Sequence, residues 1–229
     1  MNKSVKKRII LKLTGELLSS NTLQHVTAQI KHLKATHQFG VVVGGGNFFR
    51  GDQHGVALNL YPSTGHHIGM LATIMNGLIL KDSFTRANVP STLFSALVCP
   101  QVAAPLCQQA INNAFEQDHV VIFSGGTGTP FFTTDTNAVI RAAQVDAQEV
   151  WKATNVDGIY TADPARDRNA QMVKNISYEQ AYDESLAIMD RTAYALASKH
   201  RICIRIFNIF ASNALLNIAQ DKQFASTIS

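Results

Sequence analysis

Six short apolar runs, at residues 9–13, 40–43, 92–95, 119–123, 149–153 and 202–207, limit what this chain can fold into more than any other feature. Each is too short for a helix and is apolar at odd and even positions alike, so each reads as a strand covered on both faces. Between them lie stretches with helical period, at 22–35, 68–87, 103–116, 134–147, 190–198 and 212–219. That alternation predicts an α/β fold, a three-layer α/β/α sandwich around a mostly parallel central sheet. No repeat, low-complexity tract or Gly/Ser-rich linker divides the 229 residues, so one domain, 1–229, is expected.

Composition removes several function classes. A chain that is 46% hydrophobic and 16% charged is not disordered. No run approaches the roughly 18 to 20 apolar residues that span a bilayer, so no membrane partner is expected. Lys3, Lys6, Lys7 and Arg8 before Ile9-Ile10-Leu11 superficially resemble a signal peptide. Lys12 breaks that run at once, and no small-residue cleavage site follows. A net charge of +4 suits anionic small ligands and does not argue for nucleic acid. Cys99, Cys107 and Cys203 are odd in number and lack C-x-x-C spacing, which predicts buried free thiols and a cytoplasmic location.

In open α/β sheets ligands gather where strand ends meet helix starts. Four such ends here carry small or hydroxylated residues: Thr14-Gly15-Glu16 after Leu13, Gly44-Gly45-Gly46-Asn47 after Val43, the run 124–130 after Phe123, and 154–158 after Ala153. Glycine lets a backbone approach closely, and successive amides in a concavity bind phosphate oxygens. Neither a complete G-x-G-x-x-G nor a G-x-x-x-x-G-K-[ST] motif occurs, which argues against a dinucleotide fold and a P-loop enzyme. Lys12, on an otherwise apolar strand, is either an edge lysine or a fixed cation for a transferring phosphoryl group. Arg50 is placed to grip phosphate with its planar fork. Asp135 is either a helix-start residue or an acid that orients Lys12 or a metal. His66-His67 diverge on a helix and cannot easily chelate one ion, so no metal site is predicted. In each of the pairs Phe48-Phe49 and Phe131-Phe132, at least one ring is expected in the core.

Read in order, the segments K-L-T-G-E from Lys12, G-G-G-N-F-F-R-G from Gly44 and G-M-L-A-T-I-M-N-G-L from Gly69 form a recognisable series. It continues with G-T-G-T-P-F-F-T-T-D from Gly126, K-A-T-N-V-D-G-I-Y-T-A-D-P from Lys152, and M-D at Met189. The series resembles the amino acid kinase family, and within it the bacterial uridylate kinases, over nearly the whole chain. That resemblance implies transfer of the ATP γ-phosphoryl group to UMP, giving UDP, in a magnesium-dependent homohexamer. Lys12, Arg50, Asp135 and Asp190 would be catalytic. Lys12, Leu13, Thr14, Gly15, Gly46 and Arg50 would meet ATP phosphates, with Thr154, Tyr160 and Asp163 holding the adenine nucleotide. Gly45, His66, Thr127, Gly128, Thr129, Pro130, Phe131, Phe132, Thr133 and Thr134 would surround UMP.

The chain departs from the family pattern at several places, three of them at the site. His66 and Thr129 stand where an Asp and an Asn of the UMP site are usual, and Gln148 stands where an Asp that organises the catalytic cation is usual. Two other readings follow from these departures: a nucleotide-binding regulatory oligomer with little catalysis, or a kinase for another small acidic acceptor.

Overall fold

The computed structural model describes residues 6–51, 53–162, 166–183, 188–221 and 223–229. The six anticipated strands form as β1 (Lys7–Leu13), β2 (His37–Val43), β3 (Ser91–Ser95), β5 (Val120–Ser124), β6 (Glu149–Thr154) and β10 (Cys203–Asn208). Shorter strands join them: β4 (Ala104–Pro105), β7 (Ile159–Tyr160), β8 (Met172–Val173), β9 (Asn175–Ile176) and β11 (Ser226–Ile228). Nine of these build one sheet in the order β4-β3-β5-β2-β1-β6-β10-β11-β9, while β7 and β8 form a separate ribbon. All neighbours in the large sheet pair in parallel except β10 and β11.

Side-chain alternation along β1 sorts the two outer layers. Ile9, Leu11 and Leu13 point into a core shared with α1 (Ser20–Leu33), α3 (Pro62–Arg86) and α8 (Ala214–Gln220). Ile10 points the other way, into a core with α4 (Gln108–Glu116), α5 (Thr134–Gln144) and α7 (Arg191–His200). Two short helices, α2 (His54–Ala57) and α6 (Tyr178–Asp183), complete the order. The sheet is therefore the middle of three layers, as the alternating pattern predicts.

Three local expectations are corrected. Residues 104–105, assigned from sequence to a helix, are an edge strand, and the helix starts at Gln108; Pro105 has no N–H for a helical ladder. The helix assigned to 68–87 begins six residues earlier, because Pro62 sits in its first turn where a missing N–H costs nothing. The three cysteines form no disulfide with one another, but they are not buried: Cys107 is exposed, and Cys99 and Cys203 are partly so. Among the described residues, no helix is long and apolar enough to cross a membrane.

Candidate active site

Strand order reverses at β1, which has β2 on one side and β6 on the other. The carboxyl ends of β1, β2, β5 and β6 therefore open onto one crevice. In the β1–β6 pairing Lys12 lies opposite Lys152. Both side chains share the face of Ile10 and Val150, beneath α5. Two like charges placed opposite each other on neighbouring strands repel. Asp135, in the first turn of α5, resolves the conflict: its carboxylate lies 2.9 Å from Lys12 Nζ and 2.7 Å from Lys152 Nζ. Burial pushes the Asp135 carboxyl up, but the two lysines outweigh it and hold the group below the usual carboxylate range. Burial pushes Lys152 down, Asp135 opposes that shift, and Lys12 adds to it. Lys152 Nζ also donates to the Ile188 carbonyl.

The first turn of α5 is fastened at a second point. Thr133 caps the helix, accepting from the Asp135 and Thr136 amides at 3.1 Å each. Its hydroxyl donates to Asp190 at 2.5 Å, and the Thr136 hydroxyl donates to the same carboxylate at 2.7 Å. Asp190 itself caps α7 by accepting from the Ala193 amide at 3.0 Å. This carboxylate thus ties the starts of α5 and α7 together, leaving the positive end of the α5 dipole toward the crevice.

Two cavities meet above this cluster. The smaller, about 210 Å³, is lined by Lys12, Thr14, Gly15, Glu16, Gly44, Gly45, Gly46, Arg50 and Thr134. Arg50 there forms an ion pair with Glu16. The larger, about 600 Å³, runs between α3 and the loop after β5, with His66, Gly69, Met70, Thr73, Thr127, Thr129, Phe132, Thr133 and Asn137 among its walls. Gly45, Gly46 and Thr134 belong to both, so the cavities join there. Nothing larger than glycine fits at position 45: a Cβ would lie 2.7 Å from the Gly69 carbonyl and 2.8 Å from Ala72.

Most residues singled out from sequence meet at this junction, and the remainder are placed as follows. Leu13 buries its side chain in the core and offers only its backbone, accepting from the Gly44 amide at 2.9 Å. Gly128 and Pro130 shape the loop after β5 without lining either cavity. Phe131 adopts a left-handed φ of 72° and sets its ring edge-on to His66, centroids 4.8 Å apart. Thr154 is the last residue of β6 and Tyr160 lies in β7, and neither lines either cavity. Asp163 lies outside the described residues. No ring of the two phenylalanine pairs sits in the core; Phe49 and Phe132 face the larger cavity instead. A site over the sheet needs apolar walls, and these rings supply them.

Gln148 and Glu149 are at the amino end of β6, the opposite end of the sheet. Gln148 accepts from the Arg8 amide at 3.1 Å. Glu149 takes bonds from Lys7 at 2.5 Å and Trp151 at 2.6 Å, so it replaces no acid of the site. The acid that organises the lysines is Asp135. Lys152 escaped sequence reasoning although its signal, a lysine within an apolar strand, is the one that marked Lys12. Only the register shows that the two face each other.

Residues 7–208 match the amino acid kinase family. The chain belongs to that family. A uridylate kinase of Mycoplasma genitalium is 41% identical over 231 residues, 96% of this chain and 95% of its own length. A uridylate kinase of Pseudomonas aeruginosa is 42% identical, over 93% of this chain and 90% of its own. Among solved structures, a UMP kinase from Ureaplasma parvum superposes with a TM-score of 0.94 at 32% identity, covering 99% of this chain and 100% of that one.

For this amino acid kinase family member, the lysine pair makes Asp135 a sensitive position. Asp135→Asn leaves two buried cations without their shared anion and is expected to destabilise the fold by about 3 to 5 kcal/mol at neutral pH. Because the folded-state pKa is lowered, that stability exists above the ordinary carboxylate value and is lost as pH falls through the folded value. Urea denaturation should therefore show the gap between wild type and variant shrinking in acid. A gap that is constant with pH would detach Asp135 from the lysines.

Proposed function

We propose that this protein is an ATP-dependent UMP kinase. An α-phosphate oxygen of UMP attacks the γ-phosphorus of ATP, the bond to the β,γ-bridging oxygen breaks, and UDP and ADP form. The observation that carries this reading is the junction, at Gly45, Gly46 and Thr134, of two cavities of which the smaller is lined by Lys12 and Arg50. The smaller cavity suits the ATP phosphates and the larger suits the monophosphate acceptor, so donor and acceptor phosphates meet in line. Lys12 neutralises charge developing on the transferring group. Asp135 and Lys152 set the position of Lys12, Asp190 holds the α5 N-terminus in place, and Arg50 exchanges Glu16 for phosphate. Thr154, Tyr160 and Asp163 are assigned to the adenosine side.

Magnesium would shield the triphosphate charge. Among the described residues no three His, Cys, Asp or Glu side chains converge, and each Asp135 carboxylate oxygen lies at ion-pair distance from a lysine. The donor set fits an ion carried by the nucleotide phosphates and not one caged by protein. The protein works where ATP and UMP are made and used, in the cytoplasm. Copies associate as a homohexamer, and the surface assigned to contact between copies is the α3 stripe of Leu71, Met75, Leu78 and Ile79. All four side chains are solvent-exposed in the single chain at helical spacing. The reading as a catalytically silent oligomer rested partly on Gln148, which stands at the wrong end of β6 to matter for transfer.

A coupled assay with ATP, magnesium and each nucleoside monophosphate should show UMP as the preferred acceptor. Nucleotide binding without turnover of any monophosphate would favour the silent oligomer. Lys12→Ala should lower kcat at least about 100-fold with the fold retained; near-normal kcat would mean that another cation serves. His66→Asp should lower the KM for UMP about tenfold by restoring a charged acceptor at the cavity wall, and an unchanged KM would remove His66 from the UMP contacts. Met75→Asp should reduce the mass measured by light scattering, whereas an undiminished assembly would move the contact off this stripe.

A further inference from the structure

The loop 44–47 is held from behind by Asn76, through a carboxamide pair with the loop's own Asn47, and neither has a part in the chemistry above. Asn76, fully buried on α3, donates from Nδ2 to the Gly44 carbonyl at 2.6 Å and to Asn47 Oδ1 at 2.7 Å. Asn47 Nδ2 donates back to Asn76 Oδ1 at 3.2 Å. The pair also presses on the loop after β1: a Cβ on Gly15 would lie 2.0 Å from Asn47 Oδ1 and 2.6 Å from Asn76 Nδ2. Two carboxamides thus set the spacing of the two glycine loops that line the smaller cavity.

The consequence follows from peptide geometry. The Gly44 amide is committed to the Leu13 carbonyl at 2.9 Å, and the Gly44 carbonyl is committed to Asn76. In a planar trans peptide, the carbonyl of one residue and the N–H of the next point in opposite directions. Fixing the Gly44 oxygen on Asn76 therefore turns the Gly45 N–H away from α3. That N–H makes no hydrogen bond among the described residues, and Gly45 lines both cavities.

We propose that Asn76, supported by Asn47, is a positioning residue that holds the Gly45 N–H as a preset donor to phosphoryl oxygens at the junction of the two cavities. This rests on the reading of the junction as the site of phosphoryl transfer. A main-chain donor is useful there only if it is already oriented before charge develops, and a flexible glycine loop cannot orient it alone. Leucine at position 76 would fill the same space and leave the Gly44 carbonyl free to rotate.

The test measures steady-state kinetics of wild type, Asn76→Leu and Asn47→Ala, with the amide resonance of Gly45 followed by nitrogen-15 NMR as ATP and UMP are added. Removing a preset donor of this kind typically costs about 100-fold in kcat. A misdirected donor should cost about 10- to 100-fold in Asn76→Leu, about 3- to 10-fold in Asn47→Ala, and less in KM than in kcat. The Gly45 resonance should shift strongly on nucleotide addition in wild type and weakly in the variants. A folded Asn76→Leu with kcat within about twofold of wild type would overturn the proposal, as would a wild-type Gly45 resonance indifferent to nucleotides. Should Asn76→Leu not fold, wild-type kcat and an unaltered Gly45 shift in Asn47→Ala overturn it equally. If wild type turns over no monophosphate while Gly45 still responds to nucleotide and loses that response in the variants, the kinase reading falls and the positioning role stands.

Discussion

Everything at the crevice depends on one carboxylate lying between two lysines that the sheet register places face to face. Parallel pairing of β1 with β6 puts Lys12 against Lys152, and an apolar layer covers both. Two ammonium groups in such surroundings lose hydration and repel each other. Asp135 makes the arrangement tolerable but supplies one negative charge for two positive ones. The remaining demand for negative charge is turned toward the smaller cavity by Lys12, the member of the trio that lines it. On the proposed reading, a phosphoryl group entering that cavity completes a charge balance that the protein alone leaves open, so ligand binding and electrostatic relief are the same event.

The fold supplies this cluster with rigid supports on three sides. The sheet fixes the lysines, the cap at Thr133 fixes Asp135, and Asp190 fixes the cap by joining the starts of α5 and α7. The glycine loops are softer elements, and each is braced by a polar group that is not itself at the junction. Arg141, buried beneath the loop after β5 and with its pKa pushed down to about 10 by that burial, reaches the Gly126 carbonyl at 3.4 Å. Thr73 receives the Gly125 amide at 2.7 Å. Asn76 serves the loop after β2 in the same manner.

Local patterning makes the layers readable from the sequence. Six runs apolar on both faces can only be interior strands, and the glycines at their carboxyl ends mark where a ligand can approach backbone. Pairing geometry is not readable in this way. The opposition of Lys12 and Lys152 needs a register between segments far apart in the chain, and no local signal carries it. Nor does sequence reveal that Phe132 walls the crevice with Phe131 beside His66, since an apolar pair looks the same whether it covers a core or walls a cavity. The short strands β4, β9 and β11 escape notice for a related reason. Two or three residues hold too little alternation to register, and they are strands only because the sheet offers them a partner.

Position in the sheet also decides what the departures from the family pattern mean. Gln148 sits just before the amino end of β6 beside Arg8, and four residues of extended chain, about 13 Å, separate it from Lys152. A neutral residue there cannot withdraw charge from a cluster that Asp135 already organises at 2.7 and 2.9 Å. His66 and Thr129 lie along the walls of the larger cavity, the one proposed to take the acceptor and not the phosphates between which a bond is broken. A wall interaction that is weakened to the same extent in ground and transition states changes how tightly the acceptor is held and leaves the transfer step alone. On the proposed reading, His66 and Thr129 therefore act on affinity, while the groups that bear on rate cluster around Lys12 and the glycine loops beside it.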